Sequence, residues 1–335
     1  MGAVLAGIAT GVGSLPGEDI DRATAAVFDQ LPDLPHLPEL PGRGPGADMV
    51  GRTASLLAGL AVDRTPSGWR LVDRPGLDQR AARELLDGDL DALLPVAGPG
   101  YDGGLKVQLT GPWTLAAALE LPRGGAALGD PGAVRDLVAS LAETATEHIG
   151  EVRRRLPDAS LVLQLDEPGL PAVRAGRVRT QSGLGTLRVP EDSDVVAALA
   201  SVVAAVDVPV AVHCCAARPP VRLFRSAGAA AVGVDLTLGD IDHDEIGELI
   251  DGGGVVWLGV VPAIGPGVPP APRDVAEPVR RLWRELGFDP DALPASVAVT
   301  PACGLAGASP GWATTAYRVL GQVARALSEA PEGVS

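Results

Sequence analysis

The chain has 335 residues and a formal net charge of −15, which argues against a nucleic-acid backbone or an anionic membrane as partner. Hydrophobic residues make up 46% but aromatics only 3%, so a sizeable core has to be built from Ala, Val and Leu. Three cysteines are too few, and odd in number, for a disulfide framework, and no apolar stretch reaches the ~18 residues of a membrane span.

In chain order, MGAVLAGIATGVGSLPG is mildly apolar, lacks a basic start and runs into Glu18 and Asp19. It reads as a first strand and loop rather than a signal peptide, and a cytoplasmic location is the expectation. An amphipathic helix follows over residues 19–31. Residues 31–48, rich in Pro and Gly, are expected to cover one end of the fold. LKVQLTGP (105–112) is the next strand, followed by a helix over 131–156, a strand at 160–168 and a helix over 192–206. Strands at 208–215, 230–238 and 255–262 come next, then a Pro-rich loop at 262–272, a helix over 272–287 and a strand at 296–305.

Strand and helix alternate, and the strands are nearly continuous Val/Leu/Ile runs, as expected when both faces are buried. No G-x-G-x-x-G turn follows the first strand and no G-x-x-x-x-G-K-[ST] loop occurs, which weakens a nucleotide-binding sheet. The expected fold class is therefore α/β, a (β/α)8 TIM barrel, with residues 1–335 forming one domain.

Polar residues gather at the strand ends, where such a barrel carries its chemistry. SLVLQL ends in Asp166-Glu167-Pro168, VPVAV in His213-Cys214-Cys215, AAVGV in Asp235 and SVAVTPA in Cys303-Gly304. Side chains alternate along a strand, so His213 and Cys215 face one way and Cys214 the other. One imidazole and one thiolate can then share a metal, with Cys303 as a second thiolate and Asp235 as a carboxylate in the fourth position, a donor set that suits Zn2+. The plainer alternative stays open: cysteine is among the most buried residue types, and a strand-end histidine is often only hydrogen-bonded. Trp113, just after Leu109-Thr110-Gly111-Pro112, is the tryptophan placed to contact a cofactor.

These motifs together resemble the C-terminal, catalytic half of cobalamin-independent methionine synthase, and more broadly the barrel superfamily that includes uroporphyrinogen decarboxylase. Val12-Gly13-Ser14-Leu15-Pro16 is similar to an I-G-S-F-P-like motif and Asp48-Met49-Val50 to the end of N-D-M-V. Leu109 to Pro112 matches L-T-G-P, Gln164 to Pro168 matches Q-x-D-E-P, His213 to Cys215 matches H-x-C, and Pro301 to Leu305 is similar to P-D-C-G-L. The resemblance implies a zinc site at His213, Cys215 and Cys303, with Asp235 standing where the family has a glutamate. It also implies that Asp166 and the segment Val12, Gly13 and Ser14 hold the amino-acid part of homocysteine, and that Asp166 takes part in catalysis.

The departures bear on the methyl donor. Pro262 and Ile264 stand where a V-x-D-x-H-like stretch would supply a histidine to protonate a folate leaving group. The glutamate expected before D-M-V is absent, with Glu39 and Arg43 nearby. The part of those enzymes that helps hold a polyglutamylated folate lies in their N-terminal half, outside the resemblance. The leading expectation is a zinc-dependent methyltransferase acting on a small-molecule thiol such as homocysteine, giving methionine. Its donor is methyl-tetrahydrofolate or a methylcorrinoid on a carrier protein. The alternatives are a cofactor-free lyase of the uroporphyrinogen decarboxylase type, using Arg43 and Arg52, and a non-catalytic barrel that binds a thiol or metal.

Overall fold

The structure is a computed structural model describing residues 5–265 and 267–333. It has nine strands: β1 (Ala61–Thr65), β2 (Gly68–Val72), β3 (Gly104–Thr110), β4 (Leu119–Glu120), β5 (Ser160–Asp166), β6 (Val210–Cys214), β7 (Ala231–Asp235), β8 (Val255–Val261) and β9 (Val297–Pro301). The last five and β3 form one parallel sheet in the order β3-β5-β6-β7-β8-β9. Helices cross between them, as parallel strands require.

The sheet curls around an interior. Ile8, Leu34, Val162, Ala211, Ala231, Trp257 and Ala298 form a small apolar cluster separate from the main core between sheet and helices. Two faces with two clusters explain why each strand reads as an unbroken apolar run. Odd positions of β5, Leu161, Leu163 and Leu165, pack outward against helices, while Val162, Gln164 and Asp166 face in. From Val162 to Asp166 the inner face turns from apolar to charged.

Two extended segments lie in the gap between β9 and β3. Val299 N–H donates to Ile8 O at 3.0 Å and Thr10 N–H to Val299 O at 3.1 Å, a parallel bridge of Ala9 with Val299. On the other side Leu37 N–H donates to Lys106 O and Lys106 N–H to Pro35 O, at 2.9 and 2.8 Å. The two segments touch through Glu39 N–H to Gly13 O and Leu15 N–H to Glu39 O, at 3.1 and 2.9 Å. The Pro-rich stretch expected to cover an end of the fold thus runs in the sheet direction over His36 to Glu39. Its prolines lack N–H donors and would break a regular ladder, but the donors at Leu37 and Glu39 are the ones used.

Helix starts follow local chemistry. Asp19 caps the helix Ile20–Gln30, Asp130 caps Pro131–Arg155 and Ser309 caps Pro310–Glu329, each side chain accepting a first-turn N–H. Asp48 of the D-M-V motif does the same for Met49–Leu56, through Gly51 N–H at 2.8 Å. The hairpin β1–β2, joined by β4, and the helices Leu77–Asp91 and Pro310–Glu329 are further elements absent from the expected order. No helix among the described residues is long and apolar enough to cross a membrane.

Candidate active site

Inward-facing residues of neighbouring strands line up at the C-terminal ends of β3, β5 and β6. The register pairs Gln108 with Gln164, Thr110 with Asp166, and Asp166 with His213. This builds one buried chain of hydrogen bonds. Lys106 Nζ donates to Gln164 Oε1 at 2.8 Å and to Val12 O at 2.9 Å. Gln164 Nε2 donates to the same Val12 carbonyl at 2.8 Å and to Asp166 Oδ1 at 2.7 Å. Asp166 Oδ1 also faces His213 Nδ1 at 2.9 Å.

A carboxylate oxygen can only accept, so a neutral His213 ring in this contact carries its proton on Nδ1 and leaves Nε2 bare. No hydrogen bond to Asp166 Oδ2 occurs among the described residues, so that oxygen is available for a substrate donor.

Beyond His213 the chain turns. Cys214 is fully buried in the outer core, and burial pushes its thiol up to about 12. Cys215 points the other way and meets Cys303, from the loop after β9, with the sulfurs 3.0 Å apart. The hydrogen bond between the two sulfurs and the nearby His213 ring draw the Cys303 thiol down, while the same contact and burial hold Cys215 well up.

Ser14 packs over this loop: a Cβ at Gly304 would collide with Ser14 Oγ, and Leu305 N–H donates to Ser14 O at 2.7 Å. Val12 presents its carbonyl to Lys106 and Gln164. A Cβ at Gly13 would stand 2.5 Å from Gln108 Nε2, so the close approach of the strand needs glycine there.

Other expected residues are placed differently. Asp235 closes β7, but its Oδ1 accepts from Thr237 N–H and Oγ1 at 2.8 and 2.6 Å, which caps a short turn. Trp113 turns outward: its indole donates to Val195 O at 3.3 Å and lines a cavity of about 620 Å³ between the outer helices. Arg43 and Arg52 both bind the buried Asp89, which removes them from the role the lyase reading needs. Ile264 is 70% exposed, and His243 pairs with Glu285 at 3.6 Å on the outer layer.

Glu167 is structural. It accepts from Trp113 N–H, Thr114 N–H and Thr114 Oγ1 at 2.8, 2.9 and 2.7 Å, holding the start of the helix Pro112–Ala118. A Cβ on Gly111 would stand 2.5 Å from Glu167 Oε1. Gly111→Ala is therefore expected to lower stability by about 1–3 kcal/mol; an unchanged urea midpoint would rule this packing out.

Lys106 escaped the sequence reading, and Glu39 was noted there only as standing near D-M-V. Burial lowers Lys106 to about 7 against the pull of Asp166 and Glu39. Burial likewise raises Glu39 to about 7 although Arg52 lies 3.9 Å away. The visible signal for Lys106 was a lysine inside the apolar run LKVQL.

A parallel α/β fold whose charged and sulfur-bearing residues meet at the C-terminal strand ends is an enzyme architecture with its site at that face. Residues 101–326 match the family described as "Cobalamin-independent synthase, Catalytic domain", and the chain belongs to that family, which makes it a methyltransferase. Among solved structures it is similar to a B12-independent methionine synthase from Shewanella sp. W3-18-1 in complex with selenomethionine. That match has 11% identity and a TM-score of 0.60, and covers 97% of this chain and 98% of that one. At such identity the likeness concerns the fold. A putative dihydrodipicolinate synthetase from Pseudomonas aeruginosa matches at 12% identity, with a TM-score of 0.41 and coverage of 97% and 80%. No curated protein matches.

The donor chemistry suits zinc: two sulfurs in contact beside an imidazole with a bare Nε2. Among the described residues no group of three or more His, Cys, Asp or Glu is arranged around one metal position.

Proposed function

We propose that the chain is a single (β/α)8 barrel, the extended segments around Ala9 and His36 serving as the first two staves. We further propose that it methylates a small thiol, homocysteine being the best candidate. The observation that carries this reading is the contact of Cys215 with Cys303 beside a histidine anchored by Asp166. Cys215, Cys303 and His213 would hold a zinc ion, with Asp235 as the candidate fourth ligand. Zinc bound there would supply the charge that keeps a substrate thiol ionised near neutral pH.

The chain's own residues do the rest. Asp166 Oδ2 accepts from the substrate ammonium, a charge-assisted bond in a nearly dry site. Val12, Gly13 and Ser14 wall the amino-acid end, and the closed interior excludes water from the nucleophile. Holding thiol and methyl group in line is worth more than any single contact.

The donor follows from what the loop after β8 lacks. Residues 262–271, PAIGPGVPPA, contain no titratable side chain. A leaving group that needs a proton finds none there, and a positioned general acid contributes about 10²- to 10⁴-fold. A methylcorrinoid carried by a partner protein needs no such proton. Methylcobalamin is therefore expected to support turnover at least about a hundredfold faster than methyl-tetrahydrofolate; equal rates would refute this donor assignment. Elemental analysis of protein purified without metal resin is expected to give about one zinc per chain. A folded protein that takes up no zinc would sink the thiol-activation reading.

A further inference from the structure

Cys215 follows β6 and Cys303 follows β9, with β7 and β8 between them in the sheet. In a flat sheet three strand spacings amount to roughly 14 Å, so residues at those two strand ends would not meet. The curl of the sheet carries them across its mouth until the sulfurs stand 3.0 Å apart. Both are free thiols and both are partly exposed. The third cysteine, Cys214, is fully buried and packs in the outer core, away from both. Of the pairings open to three thiols, the fold thus allows one. A disulfide is about 2.0 Å long, so about 1 Å of approach remains, which small rotations of the two side chains supply.

We propose that Cys215 and Cys303 form a reversible disulfide across the mouth of the sheet when no metal holds them, a redox modification that switches the site off. The oxidant is a hydroperoxide. One sulfur attacks its O–O bond, becomes a sulfenic acid and releases the alcohol. The second sulfur then displaces the hydroxyl, which leaves as water. In sum, two S–H bonds and the O–O bond break and one S–S bond forms. Two electrons pass from the sulfurs to the peroxide oxygens, which leave as alcohol and water. A dithiol reverses the change by two exchanges and becomes a disulfide itself. A resolving thiol in contact with the first sulfur intercepts the sulfenic acid before the irreversible sulfinic step.

Metal is held by thiolates, and a disulfide withdraws both sulfurs at once. That consequence for methyl transfer rests on the zinc reading. The pairing itself rests on the contact of the two sulfurs and on the orientation of Cys214.

The test uses metal-free full-length protein treated with hydrogen peroxide. Thiols are then counted in the unfolded chain, and its mass is read without reductant. Wild type is expected to fall from three thiols to one, as a monomer lighter by two hydrogens, and to regain all three with dithiothreitol. Cys214→Ala is expected to lose both of its thiols, and its peptide map to join residues 215 and 303. Monomers that only gain oxygen, chains cross-linked to one another, or a link made through Cys214 would each overturn the proposal.

A second arm separates this inference from the zinc reading. Zinc at about ten times its dissociation constant is expected to slow the oxidation by about tenfold, because it occupies the sulfurs. A disulfide that forms equally fast with zinc present would keep this inference and defeat the zinc reading. Protein that binds zinc but forms no disulfide when stripped of it would overturn this inference and leave the zinc reading standing.

Discussion

Cys215→Ser and Cys303→Ser are each expected to lose bound zinc and at least about thirtyfold of the methyl-transfer rate, while Cys214→Ala keeps both. The magnitude comes from ionisation: a free thiol of ordinary pKa is only a few per cent thiolate at pH 7, so a substrate sulfur left unactivated loses about that factor. Lost positioning of the sulfur adds to it. The discrimination comes from the strand. Cys214 faces the outer core, fully buried, whereas Cys215 and Cys303 meet across the mouth of the sheet at 3.0 Å. Cys214→Ala removes a small buried group and is expected to cost about 1 kcal/mol of stability. Elemental analysis and initial rates on the three variants decide the matter. Zinc kept by Cys303→Ser would remove that sulfur from the ligand set, and zinc lost by Cys214→Ala would mean the strand presents its other face.

The alternation that separates these cysteines was legible in VAVHCC alone, because a strand has a fixed period of two. The helices over 20–30, 131–155 and 192–203 were legible to within a few residues, since an apolar stripe marks all three and an Asp cap the first two. The segment around His36 was not: four prolines between positions 32 and 41 read as a loop, and only the tertiary partners Lys106 and Gly13 show which N–H groups are used. Nor was the fate of Asp235. From sequence it is a carboxylate at a strand end, but the following Thr237 offers an N–H and a hydroxyl within reach, and local bonding takes Oδ1. The same limit hid the Lys106 chain, which depends on register between β3 and β5 rather than on any single motif.

His36→Gln is expected to change how stability depends on pH. His36 is fully buried, its Nδ1 facing Leu37 O at 3.2 Å and its Nε2 facing Tyr317 Oη at 2.8 Å. Burial, helped by the charge of Lys106, lowers its pKa from 6.5 to about 3. As pH falls below 6.5 the unfolded chain gains this proton while the folded chain refuses it, so the unfolded state binds more protons and stability drops. The contribution is whole above pH 6.5 and shrinks by about 1.4 kcal/mol per pH unit on the way down toward the folded value. Absolute stability will not display this slope cleanly. Burial also lowers His148 to about 4, which acts in the same sense, and raises Glu39 and Glu167 to about 7, which acts in the opposite sense between pH 4.5 and 7. Those groups are common to wild type and variant, so the difference between the two isolates His36. Measured by urea unfolding, the advantage of wild type over His36→Gln is expected to be about 2 kcal/mol smaller at pH 5 than at pH 7. A difference that stays constant over that range would show that the folded protein already accepts the proton at His36, and the ring would then have to reach water or a carboxylate in solution.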